Sequence, residues 1–365
     1  MHTVYGQKRV RTLLASSLSR SRLAHAHLFY GQPGVGKDAM AIGMAMGLNC
    51  TAGTFGGCCV CDSCKKVLRY GHPAFRMVYP VPSRPKSMKE EKYADLCRET
   101  ILQRIRNPYS EPDAFSEMAT LPIIGIEDIA QIRRELALRL AGFRHRVFLV
   151  SHAERMTAPA SNSLLKMLEE PPEGTVFFLT TSNPARVLPT IASRCQKMRF
   201  DALTESDIAD ALRDRWQIAP DQAAFSASLS GGSLQHALEF SAEGYREKRD
   251  QVLAFFEACV SPDREIQYEA VENLSEGRGK MELVFLFRIL VILLRDLLVL
   301  RSGMPYKLLN PEQRLLLEGW IGKWPSLDAE AGIQAVQQAV ERIERNGYAL
   351  LVTLDLSRQL RSTVR

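Results

Sequence analysis

The chain has 365 residues, of which 46% are apolar and 24% are charged. This composition is ordinary for a folded globular protein and excludes a disordered or collagen-like chain, and the length favours two or three domains. Lysine and arginine outnumber aspartate and glutamate by 47 to 41, a net charge of +6. Spread over this length, that excess is only weak support for direct binding to nucleic acid.

Residues 1–11 have no apolar core of signal-peptide length, so we expect no export signal. Five of the eight cysteines fall between Cys50 and Cys64, which indicates metal binding in a reducing compartment rather than a disulfide framework. Together these features predict a cytoplasmic protein. The apolar segment 281–300 imitates a membrane span, but its two arginines would be costly in hydrocarbon. A buried helix is favoured, and no membrane partner is expected.

Strand-like and helical patterns alternate over residues 1–202, which predicts an α/β layer fold. The short apolar runs at 27–30, 146–150 and 176–181 are typical of parallel strands that are covered on both faces. A helical pattern over residues 38–48 follows the first of them. The expected architecture is a parallel sheet with helices on its two faces.

The remainder of the chain is predicted to be helical. Residues 203–243 carry short helical patterns that suit a small satellite domain, and residues 244–365 carry long ones that predict a bundle of four or five helices. The stretch 80–122 is rich in proline and charge, with a possible helix over 93–106. This stretch is interpreted as an insertion or a long loop without an assigned role.

The strongest chemical signal is a glycine-rich loop at residues 31–38, between the first strand and its helix. Glycines let backbone N–H groups surround phosphate oxygens at a helix N-terminus, and the lysine reaches the terminal phosphates, so the motif predicts an ATP site. Asp38 stands where such a loop normally offers a Ser or Thr hydroxyl to Mg²⁺; it could touch the metal but would repel the triphosphate. The candidate phosphate-binding residues are Gly31, Gly34, Gly36, Lys37 and Asp38.

The strand at 146–150 is expected to supply acids that hold Mg²⁺ and polarise water. The two positions after it are Ser151 and His152, and the acid Glu154 lies further along. Without strand-end carboxylates, metal-assisted hydrolysis loses both its metal anchor and its base. The sequence therefore predicts weak or absent ATP binding and poor hydrolysis.

The cysteine cluster contains four thiols whose spacing includes two C-x2-C steps, and this set suits a closed tetrahedral zinc site. The candidate ligands are Cys50, Cys58, Cys61 and Cys64. Cys59 is then a spare, while an alternative set that uses Cys59 with Cys61 leaves a tight loop. Four thiolates leave no position for water, so a structural zinc ion is favoured over a catalytic one.

A third motif is Ser193-Arg194-Cys195, which follows a predicted loop at the end of the sheet. An arginine at such a position is usually a surface ion-pair partner. In this context a second role is predicted for Arg194, that of an arginine finger, because a guanidinium matches the charge of a transferring phosphoryl group and can act on a neighbour's ATP.

Taken together, these motifs resemble the clamp-loader branch of the AAA+ ATPases over roughly residues 1–240. The run Leu-Leu-Lys-Met-Leu-Glu-Glu-Pro-Pro at 164–172, joined to Ser-Arg-Cys, is specific to this branch. The other matching segments are 4–7, 22–29, the glycine-rich loop, the cysteine cluster, 71–73 and 232–238.

The resemblance implies an α/β AAA+ P-loop domain with a zinc insertion over 1–202. A small helical lid over 203–243 and an all-α collar that oligomerises over 244–365 would follow. It also implies assembly with other clamp-loader subunits (delta and gamma/tau) in a hetero-pentamer, and contact with the sliding clamp and primed DNA through that complex.

Departures from the family pattern distinguish a motor subunit from a stator. Motor subunits have Lys-Ser or Lys-Thr in the loop, acids after the second strand and a nucleotide-sensing arginine in the lid. The corresponding residues here are Asp38, Ser151 with His152, and Gln235. Because Arg194 is retained, the pattern predicts a stator that serves a neighbour's site and has no ATPase activity of its own.

Two alternatives remain open at this level. The first is an ATP-hydrolysing motor subunit of the same complex, which would use Asp38 or Glu154 for Mg²⁺. The second is a different AAA+ remodeller, or a zinc-bearing nucleic-acid binder, that does not associate with clamp-loader subunits.

Overall fold

A computed structural model describes most of the chain, namely residues 4–20, 22–115, 122–138, 142–242, 244–345 and 347–364. The chain divides into two compact units, Met1–Leu238 and Glu239–Arg365. Within the stretch 80–122, which the sequence left without a role, residues 116–121 lie outside the described part. The finer division at 202 and 243 stays a prediction.

The first unit is built on a parallel sheet that has five strands in the described residues. They are β1 (Ala26–Tyr30), β2 (Phe75–Val78), β3 (Arg146–Val150), β4 (Thr175–Thr181) and β5 (Gln196–Arg199). Their order is β2-β3-β4-β1-β5, and each neighbouring pair is parallel. Every residue of β3 and β4 is buried, as continuous apolar runs require in a sheet covered on both faces. The predicted parallel α/β fold is therefore confirmed.

Ten α-helices accompany the sheet in the described residues up to residue 242. They are α1 (Lys8–Ser19), α2 (Lys37–Leu48), α3 (Asp62–Leu68), α4 (Glu90–Arg106), α5 (Ile126–Leu136), α6 (Ala158–Glu169), α7 (Pro189–Arg194), α8 (Glu205–Trp216), α9 (Pro220–Leu229) and α10 (Leu234–Ser241). All twelve residues of α2 are buried, and eight of them are alanine, methionine or glycine, which fits a helix that is covered on every face. The helix that carries the end of the glycine-rich loop is thus fixed in the core.

The second unit is helical, with six main helices in the described residues rather than the four or five expected. They are α11 (Tyr245–Val260), α12 (Arg264–Ser275), α13 (Lys280–Arg301), α14 (Arg314–Lys323), α15 (Ala329–Glu344) and α16 (Ala349–Ser362). None of the helices in the described part of the chain, α13 included, has the length and apolarity that a bilayer crossing requires. The buried carboxylate of Asp296 on α13 accepts backbone N–H bonds from Leu309 at 3.0 Å and Asn310 at 2.8 Å. A charge inside this apolar helix is therefore satisfied.

A titratable group is buried on an inner strand of the sheet. His27 on β1 is fully buried, and its ring stacks on Phe178 with the centroids 5.2 Å apart. Burial lowers the pKa of His27 from 6.5 to about 4, against a smaller opposing effect of the Ala24 backbone, because the imidazolium is disfavoured away from water.

The unfolded chain takes up a proton at His27 below about pH 6.5, whereas the folded chain resists it down to about pH 4. The free energy of unfolding therefore falls as the pH drops through this window. Between pH 7 and pH 4.5, the free energy of unfolding of His27→Phe is expected to fall by about 2 kcal/mol less than that of the wild-type chain. Urea denaturation of both chains across this range measures it, and parallel curves for the two chains would contradict it.

Candidate functional site: the glycine-rich loop and the strand ends

The glycine-rich loop lies at the carboxyl edge of the sheet, where β1 ends between β4 and β5. Gly34 and Gly36 have φ angles of +73° and +95°, in the left-handed region that glycine adopts without strain. A Cβ at Gly34 would lie 2.3 Å from Oγ of Ser233. The loop therefore needs glycine both for its curvature and for its close approach to the start of α10.

The lysine of the loop is directed at its own backbone. Nζ of Lys37 donates to the carbonyl oxygens of Gly31 and Gln32, both at 2.7 Å, and to Oγ of Ser182 at 3.2 Å. Burial lowers the pKa of Lys37 to about 8, while the nearby carboxylate of Asp38 acts in the opposite direction. The donors that a P-loop lysine would offer to phosphate are thus used within the chain.

The carboxylate of Asp38 lies at the centre of the hydrogen bonds in this site. Its carboxylate, 2% exposed, accepts hydrogen bonds from Nε of Arg104, Oγ of Ser151 and Oγ1 of Thr180, each at 2.6 Å. Burial raises the pKa of Asp38, but the charges of Arg104 and His152 and the two hydroxyl bonds outweigh it, so the pKa lies well below its usual range. Asp38, which follows the loop lysine, is therefore hydrogen-bonded to Ser151, which follows β3, and is paired with Arg104.

Two further carboxylates flank this centre. Oε1 of Glu154 accepts the backbone N–H of Ser182 at 3.3 Å and lies 3.5 Å from Nδ1 of His152. Burial raises the pKa of Glu154, yet the hydrogen bond and charge of His152 prevail and lower it to about 2. Glu111 accepts a hydrogen bond from the Tyr79 hydroxyl and lies 3.7 Å from Nε2 of His152. His152 thus lies between two acids.

The structure brings together the residues that the sequence placed around a nucleotide. The glycine-rich loop, the strand ends and Gln235 line one cavity, together with Arg104 and Glu111. The volume left in it is about 10 Å³, room for about one water molecule. Because Lys37 and Asp38 are already satisfied inside the chain, this site does not fit a nucleoside triphosphate with its metal ion.

Sequence reasoning missed the contribution of the insertion. It gave the stretch 80–122 no role, whereas α4 supplies Arg104 and the turn after it supplies Glu111. One signal was present in the sequence: an aspartate buried beside a glycine-rich loop needs a cation nearby to balance its charge. The sequence does not indicate which cation, since Arg104 follows Asp38 by 66 residues.

The second candidate site is the cysteine cluster. One ligand atom from each of the four predicted cysteines lies within 4.8 Å of the others, so the set could hold a metal ion. The backbone N–H groups of Cys61 and Cys64 point at Sγ of Cys58 and Cys61, at 3.3 and 3.5 Å. Such donors favour thiolates, and those from Cys64 and Thr51 lower the pKa of Cys61 to about 6. The group contains the predicted four residues.

Arg194 ends α7 on the surface of the first unit. Its Nη2 lies 2.7 Å from Oε1 of Glu169, the last residue of α6, and its Nη1 donates to the carbonyl of Thr190 at 3.0 Å. Both partners are partly exposed, with 36% of the Arg194 side chain and 48% of the Glu169 side chain accessible. The guanidinium therefore lies on the surface in a solvated ion pair.

A parallel sheet with a glycine-rich loop at the carboxyl end of an inner strand defines a P-loop protein of the α/β class. A model of the family described as "DNA polymerase III, delta subunit" matches residues 6–204, more than half of the chain. The chain belongs to this family.

Individual relatives agree with the family match. DNA polymerase III subunit delta' of Bacillus subtilis is 31% identical over 252 residues, which cover 69% of this chain and 64% of that protein. The subunit delta' of Pseudomonas aeruginosa is 29% identical over 73% of this chain and 70% of its own length. The subunit tau of Escherichia coli is 30% identical over 76% of this chain, but only 38% of tau is matched. The chain thus spans less than two thirds of the first and the last of these proteins.

Proposed function

We propose that this chain is the delta-prime, or stator, subunit of a bacterial DNA polymerase III clamp loader. It acts in the cytoplasm and assembles with delta and gamma/tau subunits in a hetero-pentamer that places the sliding clamp on primed DNA. Its own contribution to ATP chemistry is Arg194, which enters the site of a neighbouring motor subunit. The family match and the two delta' relatives support the assignment.

The observation that carries the stator assignment is the ion pair between Asp38 and Arg104. A motor subunit needs a hydroxyl after the P-loop lysine, and carboxylates after the strand that corresponds to β3, to hold Mg²⁺. Here Asp38 accepts a hydrogen bond from the Ser151 hydroxyl at 2.6 Å, and Arg104 neutralises the charge of the Asp38 carboxylate. A chain with this site is suited to contributing a residue to another subunit's ATP site rather than to hydrolysing ATP itself.

The surface position of Arg194 supports its role as an arginine finger. Its present partners are the carboxylate of Glu169 and one backbone carbonyl, and an ion pair this exposed contributes little to stability. The guanidinium can therefore exchange the carboxylate for a phosphate at low cost. Two oxygens of a phosphate group can accept the two N–H bonds of a guanidinium in the same bidentate way as a carboxylate.

We propose that the cysteine cluster holds a structural zinc ion through Cys50, Cys58, Cys61 and Cys64. Bound there, zinc would cross-link the end of α2 to the start of α3. Four thiol ligands leave no position for water, so no catalytic role follows.

The purified chain is expected to contain about one zinc ion, and Cys58→Ser combined with Cys61→Ser is expected to lose it, because two thiolates do not hold zinc against dialysis. Atomic emission after dialysis measures the content. Cys59→Ser is the matched control, since Cys59 lies outside the cluster, and it should keep the metal. Loss of zinc in the Cys59 variant would favour the alternative ligand set.

Reconstitution tests the proposed function. The chain is mixed with the delta and gamma/tau subunits from the same genome, and assembly is followed by size-exclusion chromatography and loading of the cognate clamp on primed DNA. We expect a complex that loads the clamp only when this chain is present. A complex that forms and loads equally well without it would contradict the proposal.

The alternative is a motor subunit, which the similarity to tau over 76% of this chain favours. A motor would hydrolyse ATP in a manner that depends on Lys37. Turnover by the purified chain with primed DNA, compared with its Lys37→Ala variant, separates the two functions: a stator shows no turnover in either.

A further inference from the structure

The segment that ends α4 and turns back across the glycine-rich loop comprises residues 104–111, here called the plug segment. We propose that the plug segment occupies the nucleotide site as an internal ligand and excludes both a nucleoside triphosphate and Mg²⁺. This inference goes beyond the proposed assembly and does not depend on it.

The first step concerns charge. The oxygen atoms at the carboxyl edge of the sheet that could hold a divalent cation include the Asp38 carboxylate and the hydroxyls of Ser151 and Thr180. They are already gathered around one another, and Nε of Arg104 lies 2.6 Å from Asp38. A guanidinium keeps its charge at every physiological pH. A metal ion could bind Asp38 only by displacing a cation that is covalently part of the chain.

The second step concerns space. Tyr109 of the plug segment is fully buried, and a Cβ placed on Gly36 would lie only 2.9 Å from its hydroxyl oxygen. The hydroxyl also accepts the backbone N–H of Tyr5 at 3.1 Å. The ring belongs to the buried apolar cluster that includes Leu212 and Leu234. The tyrosine therefore fills the space between the loop, the N-terminal segment and helices α8 and α10.

The third step concerns rigidity. Within the plug segment, Nη1 of Arg104 donates to the carbonyl of Ser110 at 2.9 Å, and Nδ2 of Asn107 donates to Oγ of Ser110 at 2.8 Å. Glu111 closes the far end through the Tyr79 hydroxyl. The guanidinium of Arg104 also lies 5.8 Å from the ring centroid of Tyr79, within the range of a cation–π contact. The segment is held at both ends and across its middle.

These contacts leave a cavity of about 10 Å³ beside the loop, which accommodates about one water molecule. Entry of a triphosphate would require the plug segment to leave, which would expose Tyr109 and strand the buried charge of Asp38. Because the competing ligand is tethered, its local concentration does not fall when the solution is diluted.

Nucleotide binding by the isolated full-length chain tests the inference. ATP and ADP, each with and without Mg²⁺, are titrated by equilibrium dialysis up to millimolar concentration. The wild-type chain is expected to show no saturable binding. The double variant Asp38→Ser with Arg104→Ala removes both charges together and provides a hydroxyl after Lys37. It should bind saturably, with a dissociation constant at least about tenfold below the highest concentration titrated. Arg98→Ala, an exposed arginine on the same helix but outside the plug segment, is the control and should behave as wild type.

Saturable binding by the wild-type chain that Lys37→Ala abolishes would overturn the inference. So would a folded double variant that still binds nothing once Tyr109→Ala has been added, because a feature outside the plug segment would then be excluding the nucleotide. If the double variant fails to fold, hydrogen exchange of the wild-type chain decides: the plug segment should exchange as slowly as β4, with or without ATP, and rapid exchange would overturn the inference. These measurements involve no other subunit, so their failure leaves the proposed assembly untouched.

Discussion

Arg194→Ala is expected to slow ATP turnover by the neighbouring motor subunit about 10³-fold in the reconstituted complex, the lower end of the range for arginine fingers. The physical reason is that a guanidinium neutralises charge that develops on the transferring phosphoryl group. The chain itself should stay folded. The variant loses only an exposed ion pair with Glu169 and a bond to a backbone carbonyl, which is worth less than about 1 kcal/mol. Turnover is measured at saturating ATP with clamp and primed DNA present.

Two controls sharpen this measurement. Arg186→Ala removes an exposed arginine that precedes α7 and should leave turnover unchanged. Glu169→Gln removes the charge that pairs with Arg194. It should not slow turnover, because Arg194 has to break this ion pair before it can contact a neighbour's phosphate. Unchanged turnover in the Arg194 variant, with the complex intact by chromatography, would remove this residue from the mechanism.

Arg104→Ala is expected to lower the free energy of unfolding of the first unit by about 3–5 kcal/mol, because it leaves the Asp38 carboxylate buried without its counter-charge. Only 2% of the Asp38 side chain is exposed, so in the intact chain its counter-charge is the arginine rather than water. The exchange rates of the slowest amide protons in β1 and β4 report this free energy for the first unit alone.

The double variant Asp38→Asn with Arg104→Met is the matched comparison, since it removes both charges and keeps similar volumes. We expect it to recover most of the lost stability, because replacing a buried pair by neutral groups is often close to neutral. A double variant as unstable as Arg104→Ala would mean that the arginine stabilises the unit by packing rather than by charge.

The local parts of the fold could be predicted from the sequence. The buried strands β3 and β4 are continuous apolar runs, and the loop between β1 and α2 is set by its glycines, so short patterns suffice. Strand β5 was missed because it reads Gln-Lys-Met-Arg with only Met198 buried, and edge strands commonly carry such charges. Strand β2 was missed because it has four residues, one of them Arg76.

The candidate sites divide in the same way. The cysteine group follows from spacing, since its members lie within 15 positions of one another. The plug segment does not, because its contacts join Arg104 to Asp38 and Tyr109 to Tyr5 across long separations in sequence. Periodicity and spacing carry no information about such pairs. The sequence predicted that the nucleotide site is altered, and the structure supplies the residues that fill it.

The plug segment also has a consequence for how the chain responds to the energy state of the cell. A protein that binds ATP gains stability with the concentration of free ligand and loses it when ATP is depleted. Arg104 and Tyr109 are tethered, so the stabilisation that they give to the glycine-rich loop does not vary with the ratio of ATP to ADP. During starvation, the first unit of this chain is therefore expected to keep the stability that it has when ATP is plentiful.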